Sequence, residues 1–221
     1  MRLLTLCVIL LTTAAAHAED APTPAGAGDQ INAVQRRPLR QARRLELSPY
    51  GVMSIADPYL QRWGGGLRGM WHLREGLSVG LDVAGFGTFA TQELVIAKSE
   101  LHARVIDSRV KVSALALASI APLYGKVALP GDALVHFETF FDAGLGAAMT
   151  ETDATRGVRP MLAGGIGQRV FLGEDYALTL RVGGNLYAER VAVAGLNETK
   201  AMGFWTVALG ISWYLPGRGD R

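Results

Sequence analysis

The 221-residue chain is poor in cysteine and in lysine, and most of it lacks long apolar runs. Its single cysteine, Cys7, lies in the first eighteen residues, so a chain without that stretch has neither disulfide nor thiol chemistry. No segment after those residues reaches the roughly 18–20 consecutive apolar residues that a transmembrane helix needs. Only four lysines are present, which is few for a protein whose surface faces water.

The chain also lacks a strong excess of either charge. The full sequence has 22 basic and 20 acidic side chains, and removal of the first eighteen residues, which contain Arg2, leaves 21 basic side chains. A chain so near neutrality does not have the basic surplus that general nucleic-acid binding requires. We therefore expect no nucleic-acid partner, and the length suits one domain.

Residues 1–18 have the three parts of a secretory signal peptide. Arg2 supplies the basic start, residues 3–11 are apolar, and Ala16-His17-Ala18 forms a small-x-small cleavage site. Cys7 lies inside the apolar part with no small residue before it, which argues against a lipoprotein. The protein is therefore predicted to be exported.

Residues 19–42 differ in composition from the rest of the chain. Their first part is rich in Ala, Pro and Gly, which predicts a flexible periplasmic segment. An arginine cluster follows: Arg36, Arg37, Arg40, Arg43 and Arg44. It is interpreted either as a solvated linker or as a contact with anionic lipid headgroups or a periplasmic partner.

Residues 204–215 alternate between large apolar and small side chains, with tryptophan near both ends. A period of two predicts a β-strand with one apolar face, and about ten residues suffice for such a strand to cross a bilayer. The strand closes on the pattern Gly210-x-x-Trp213-x-Leu215. This pattern resembles the C-terminal assembly signal that the barrel-assembly machinery of bacterial outer membranes reads.

The same alternation recurs in seven earlier segments. They are centred on residues 45–53, 67–73, 77–84, 109–117, 136–145, 162–170 and 178–186. In the fourth segment Val110 and Val112 share the apolar face, and Leu115 and Leu117 then change phase, as a β-bulge allows. Eight strands are the smallest typical closed barrel.

The face that points outward decides between a membrane barrel and a secreted lipocalin-like barrel. The less apolar faces carry mainly Gly, Ala and Ser, which suits a narrow interior rather than a solvated exterior. Aromatic residues lie near predicted strand ends, as two interfacial girdles require: Trp63, Trp71, Tyr176, Tyr187, Trp205, Trp213 and Tyr214. We predict an all-β fold, an eight-stranded antiparallel up-and-down transmembrane β-barrel at residues 43–215, followed by a C-terminal tail at 216–221.

Short motifs from one end of the chain to the other resemble those of one protein family. They are Val34–Pro38, Arg44–Pro49, Asp57–Tyr59, Pro122–Lys126, Arg159-Pro160 and Gly165–Arg169. The chain is similar in these to the outer-membrane β-barrel domain proteins found chiefly in myxobacteria. The resemblance implies a barrel in the cell outer membrane and brings no catalytic residues. We expect this barrel to be a monomer. Some small barrels of such bacteria belong to gliding-motility envelope machinery, so a multiprotein envelope or motility assembly is one context that it suggests.

With a periplasmic N-terminus, alternate connections face the outside. These are predicted at about 55–62, 87–106, 149–157 and 188–200, while the turns near 74–76 and 172–175 are short and periplasmic. The connection at 119–132 is long for a periplasmic turn. It is interpreted as a plug or ordinary loop, or as a site facing a periplasmic partner.

Charged residues on the predicted inward faces form the candidate site. The predicted lumen ion-pair network comprises Glu46, Arg68, Asp82, Arg109, Lys111, Glu138, Asp142, Arg169 and Arg181. Paired, these groups would fill and close a narrow lumen; unpaired, each would cost several kcal/mol. An ion path, a gate made by rearranged pairs and a carboxylate-based enzyme remain alternatives.

The histidines give weaker signals. His136-x-Glu138 places two groups on one strand face, which could suit a metal or a hydrolase base, but no third ligand has a recognisable spacing. We therefore expect no catalytic residues, cofactor or metal site. The sequence favours a non-enzymatic structural or interaction component of the envelope, with a small channel as the alternative and a lipid-modifying enzyme as a remote one.

Overall fold

A computed structural model describes residues 41–57, 59–92, 96, 108–129, 133–152, 156–173, 175–193 and 196–215. The predicted signal peptide, nearly all of the 19–42 segment and the 216–221 tail lie outside the described residues. Within the described ranges, no helix is long and apolar enough to cross a membrane.

Eight strands account for almost all of the described chain. They are β1 (Leu45–Ile55), β2 (Leu60–Arg74), β3 (Leu77–Ala90), β4 (Arg109–Leu129), β5 (Ala133–Glu151), β6 (Arg156–Phe171), β7 (Tyr176–Val193) and β8 (Leu196–Leu215). Each strand pairs antiparallel with the next, and β1 pairs with β8 to close the ring. The predicted eight-stranded antiparallel up-and-down barrel is confirmed.

The two faces of the sheet differ as the alternation predicts. On β8, Leu209 is 54% exposed and lies outside, whereas its neighbour Ala208 is 9% exposed and lies inside. The exterior carries a broad band of exposed Leu, Ile, Val and Phe side chains. Such a band is typical of a barrel whose outer surface contacts lipid.

The aromatic residues divide between the two faces. Five are exposed on the exterior: Trp63, Trp71, Tyr176, Trp205 and Trp213. The prediction was wrong for Tyr187 and Tyr214, which are 4% and 1% exposed. Both follow the inward phase of their strands, Tyr187 with Asn185 and Tyr214 with Ser212, so they fill the interior.

The predicted phase of β4 was also wrong. The bulge lies earlier, where the register with β5 shifts between Val110 and Val112. Val110, Leu115 and Leu117 are buried in an apolar cluster inside the barrel. Ala114, Ala116 and Ala118 take the outward positions beside the two leucines, so here the larger side chains point inward and the smaller ones point outward.

The strands extend well past the segments that the alternation marked. β5 reaches Glu151 and β7 reaches Val193, so most of the predicted connections at 149–157 and 188–200 are strand. The 119–132 connection is neither a loop nor a plug over its described part. β4 continues to Leu129 and pairs with β5 there, past the last β3 partner at Ile120.

This extension, which we call the β4–β5 hairpin, lies at the end of the barrel that carries the chain termini. Tyr124 stacks on His136 with ring centroids 6.0 Å apart, and Tyr124 also packs against Phe171 and Tyr214. Burial and then the positive charge of Lys126 lower the pKa of His136. The hairpin is thus anchored to the interior by an aromatic contact.

Candidate functional site

Two arginines and two aspartates cross the middle of the lumen, and we call them the central layer. Arg181 Nε and Nη2 donate to Asp142 Oδ2 and Oδ1 at 2.7 and 2.6 Å. Arg68 donates from Nε to Asp82 Oδ2 at 2.8 Å and from Nη1 to Asp142 Oδ2 at 3.2 Å. The charges balance, and the carboxylate and guanidinium groups are held by charge-assisted hydrogen bonds.

Small residues leave the space that the central layer occupies. A Cβ on Gly183 would lie 2.4 Å from Arg181 Nη1, and a Cβ on Gly165 would lie 2.8 Å from its Cζ. Tyr50 completes the layer, because its hydroxyl donates to Asp82 Oδ1 at 2.6 Å. The glycines on the inward face therefore position the guanidinium as directly as its hydrogen bonds do.

A second set, the termini-side layer, lies closer to the chain termini. Arg169 Nη1 donates to Glu138 Oε1 at 2.9 Å, and Arg169 Nη2 lies 3.3 Å from Glu46 Oε2. His72 Nε2 lies 2.8 Å from the same Glu46 oxygen, and the Arg169 guanidinium covers the Phe140 ring at 4.2 Å. All these charged side chains are almost fully buried.

Two features extend the termini-side layer. A hydroxyl chain runs from Glu46, to which Ser48 donates at 2.9 Å, through Ser212 to Thr179, each hydroxyl pair being 2.8 Å apart. Gln41 lies at the termini end of the lumen and donates from Nε2 to Glu138 Oε2 at 2.8 Å. The chain immediately before β1 therefore contacts the interior at this mouth of the barrel.

A third set, the far layer, lies at the opposite end. Arg62 pairs with Asp57, and Arg159 Nε donates to Glu189 Oε1 at 2.9 Å. Ser108 links the two pairs: it donates from Oγ to Glu189 Oε2 at 3.0 Å and its carbonyl oxygen lies 3.4 Å from Arg62 Nη2. The far layer is also balanced in charge.

Seven of the nine predicted network residues lie in the central and termini-side layers. Lys111 does not: its side chain is 40% exposed and its Nζ lies 3.4 Å from Glu151 at the far end. Arg109 alternates with the buried Ser108 and Val110, so it lies on the outer face opposite Glu151 in the register. Both were misplaced for one reason, the bulge that reverses the phase at the start of β4.

Sequence reasoning missed several members of these layers. Arg62 is in phase with Arg68, and Glu189 is in phase with Arg181, so continuing the alternation toward the far end would have found both. Asp57 and Gln41 had no such signal. They lie outside the strands, and only the folded chain brings them to a buried partner.

Two internal spaces flank the central layer. One of about 20 Å³ lies toward the termini and is lined by Glu46, Arg169 and Thr179, among others. The other, of about 30 Å³, lies on the far side of the layer, and its wall includes Phe86, Leu115 and Leu117. Tyr50, Arg68, Arg181 and Ala208 border both spaces, so the central layer is the partition between them.

The described residues contain no group of three or more His, Cys, Asp or Glu side chains placed to hold a metal ion. Glu138 of the His136-x-Glu138 pair is bonded to Arg169 and Gln41, and His136 stacks on Tyr124. His136 and Glu138, the two candidate metal ligands, therefore contact different residues.

No protein-family model matches the chain, and no curated protein matches it in sequence. The resemblance to the myxobacterial family thus stays a hypothesis.

Solved structures that are similar include the N-terminal β-barrel domain of Pseudomonas aeruginosa OprF, at 15% identity over 79% of this chain and 98% of that one, with a TM-score of 0.45. Neisserial surface protein A matches at 10% identity over 77% and 95% of the two chains, with a TM-score of 0.47. The attachment invasion locus protein Ail of Yersinia pestis matches at 15% identity over 78% and 97%, with a TM-score of 0.35. At these identities the likeness concerns the fold alone, a small closed antiparallel β-barrel.

Proposed function

We propose that the protein is a monomeric, non-enzymatic integral barrel of the outer membrane, whose filled lumen makes it a structural or interaction component of the cell envelope. The central layer carries this proposal. Arg68 on β2 and Arg181 on β7 meet Asp142 on β5, so ion pairs span the interior between distant strands. Such a layer stiffens the barrel and leaves no straight aqueous path.

The membrane location is supported by the exterior and by the N-terminal sequence. A lipid-facing band, exposed tryptophans near both strand ends and a signal peptide pattern fit insertion by the barrel-assembly machinery. Cysteine labelling tests this, since the predicted mature chain has no cysteine. Tyr59→Cys should react with an impermeant maleimide on intact cells, and Gly173→Cys should react only after the outer membrane is opened. The reverse labelling pattern would mean that the barrel has the opposite orientation in the membrane.

An interaction role is supported at the end that carries the termini. The β4–β5 hairpin extends there beyond the β3 and β6 partners of the barrel. Gln41 bonds to Glu138, which pairs in the sheet with Tyr124 of the hairpin, so the chain entering the barrel passes the base of the hairpin. Both features would face a periplasmic partner. Leu123 is exposed on the hairpin, so crosslinking from Leu123→Cys should capture a specific envelope protein. The control, Leu145→Cys on the lipid face, should not capture it.

A small channel is the second candidate, and the two internal spaces favour it. They lie on the two sides of the central layer and share Arg68 and Arg181 in their walls, so rearrangement of the ion pairs would join them. Liposome swelling distinguishes the candidates. Vesicles containing the protein should swell no faster in small sugars than empty vesicles, and solute-size-dependent swelling would establish the channel instead. A lipid-modifying enzyme, the remote alternative, would alter the lipid A mass spectrum of an expressing host.

A further inference from the structure

The barrel wall is lower on one side at the far end. β1 ends at Ile55, opposite Trp205 of β8, and the residues of β8 before Trp205 pair only with β7. β2 begins at Leu60 but pairs with β1 only from Trp63 onward. The wall between β8 and β2 therefore has a notch above the end of β1.

A cavity of about 300 Å³ occupies this notch. Its wall combines side chains of the inner face, such as Tyr187 and Phe204, with the outward-facing Ala201 and Trp205. Its size lies at the lower limit of the range of small-molecule sites, and most of its lining residues are apolar or aromatic.

One buried hydrogen-bond donor beside the cavity lacks an acceptor. Arg62 is 3% exposed, and its guanidinium lies 4.5 Å from the centre of the Phe204 ring. Its Nη atoms bond to Asp57 and to the Ser108 carbonyl, but its Nε has no partner among the described residues. A buried N–H without an acceptor is costly, so a ligand oxygen at this position would be favoured.

The charges around Arg62 determine what kind of acceptor fits. Asp57 already neutralises the guanidinium, and Glu189 is matched by Arg159. An anionic ligand would gain no net attraction and would face the Asp57 carboxylate, which lines the cavity. An uncharged hydroxyl or carbonyl oxygen satisfies Nε without that penalty.

The exterior offers space for an apolar chain beside this donor. A shallow cavity of about 550 Å³ runs over β6, β7 and β8 and shares Gly203, Phe204 and Trp205 with the notch cavity. Gly164 and Gly184 form its floor, and Leu162 and Leu186 form part of its walls. The missing side chains leave a groove that a chain of methylene groups can occupy.

We propose that the far end of the barrel binds a single-chain amphiphile with an uncharged head group. The head oxygen accepts from Arg62 Nε in the notch, and the apolar chain crosses β8 at Gly203 and lies in the groove of β6–β8. This site is distinct from the central layer and requires no opening of the lumen.

Trp205 borders both cavities, so its fluorescence reports occupancy. In lipid nanodiscs, a protein that keeps only Trp205 (Trp63, Trp71 and Trp213 changed to Phe) is titrated with a dibrominated long-chain alcohol. A protein that keeps only Trp213, at the other end of β8, is the matched control. The proposal predicts saturable quenching of Trp205, while Trp213 shows only the linear quenching that partition into lipid produces. Equal, linear quenching of both would overturn it.

Two variants and two other probes sharpen the test. Arg62→Met should abolish the saturable part, and Gly184→Leu, which fills the groove with an apolar side chain on the lipid face, should abolish it without touching a polar group. The dibrominated alkane should bind about tenfold more weakly than the alcohol or worse, because it offers no acceptor. The dibrominated fatty acid should also bind more weakly at neutral pH. Saturable binding that survives both substitutions, or equal affinity for alkane or fatty acid, would refute the proposal.

Discussion

Arg181 and Asp142 form a bidentate ion pair, with Nε–Oδ2 and Nη2–Oδ1 distances of 2.7 and 2.6 Å. Their strands, β7 and β5, are not neighbours, because β6 lies between them in the sheet. Asp142 also accepts from Arg68 at 3.2 Å, from the opposite part of the ring. One carboxylate therefore connects β2, β5 and β7 through the interior. The layer braces the barrel across its width and obstructs it at the same place.

Gly183 allows this pair to be disturbed without changing a charge. A Cβ there would lie 2.4 Å from Arg181 Nη1, so Gly183→Ala should push the guanidinium away from Asp142. Overpacking of this kind costs about 1–3 kcal/mol, which urea unfolding in micelles would measure. Gly184→Ala is the matched control, because its Cβ would meet only the Trp205 ring at 3.5 Å. Equal stability of the two variants would mean that the position of Arg181 does not matter.

Removal of Arg169 should leave two buried carboxylates without their cation. Arg169→Ala is expected to cost about 3–5 kcal/mol in the free energy of unfolding. Adding Glu138→Gln should recover part of that loss, because Glu138 accepts from Arg169 at 2.9 Å. Asp142 is not an equivalent partner for Arg169, because it bonds to Arg68 and Arg181.

The control for this cycle is Arg156→Ala, since Arg156 is exposed at the start of β6. It should change the free energy of unfolding by no more than about 0.5 kcal/mol. Strictly additive losses for Arg169→Ala and Glu138→Gln would show that these two side chains do not stabilise each other.

The two faces of β8 should respond in opposite ways to substitution. Leu209→Arg places a charge on the lipid side and should cost about 2–4 kcal/mol or block assembly. Ala208→Ser, one residue away on the inner face, should be nearly neutral. Gel mobility with and without heating distinguishes folded from unfolded barrels. Normal folding of Leu209→Arg together with failure of Ala208→Ser would reverse the assignment of the faces.

Gln41 should hold the chain entry against the barrel mouth. Its amide donates to Glu138 at 2.8 Å, and a hydrogen bond to a charged group stabilises by about 1.5–3 kcal/mol. Gln41→Ala should therefore raise the rate of tryptic cleavage after Arg43 and Arg44 about tenfold. Ala42→Ser, which changes an exposed neighbour, should leave that rate unchanged. If Gln41→Ala also leaves it unchanged, the entry is held by other contacts.

The sequence predicted the fold well where large and small residues alternate without interruption. On β8 the outward residues are large and the inward residues are small, so both the strand and its orientation followed directly. β4 failed because Leu115 and Leu117 fill the lumen while Ala114, Ala116 and Ala118 face outward. Large residues mark the lipid face only where other side chains already fill the lumen. Where the lumen has free space, as beside β4, large residues can point inward.

The candidate site was predictable only where its residues lie in regular strands. Arg68, Asp82, Asp142 and Arg181 follow from phase alone, because each alternates with an exposed apolar neighbour. Their pairings did not follow, since the connection from β2 to β5 depends on barrel curvature and not on adjacency in the sheet. Gln41 and Asp57 were inaccessible to this reasoning because no periodicity acts outside the strands.

Recording in planar bilayers tests the closed lumen most directly. Wild-type protein should give no steady unitary conductance, while the paired substitution of Arg181 and Asp142 by Ser, which removes the pair without leaving either charge alone, should give a measurable one. Conductance of that variant is also the positive control, because it shows that the protein inserts into the bilayer and that an open lumen is detected. Steady unitary conductance of the wild-type protein would contradict a lumen closed by its ion pairs.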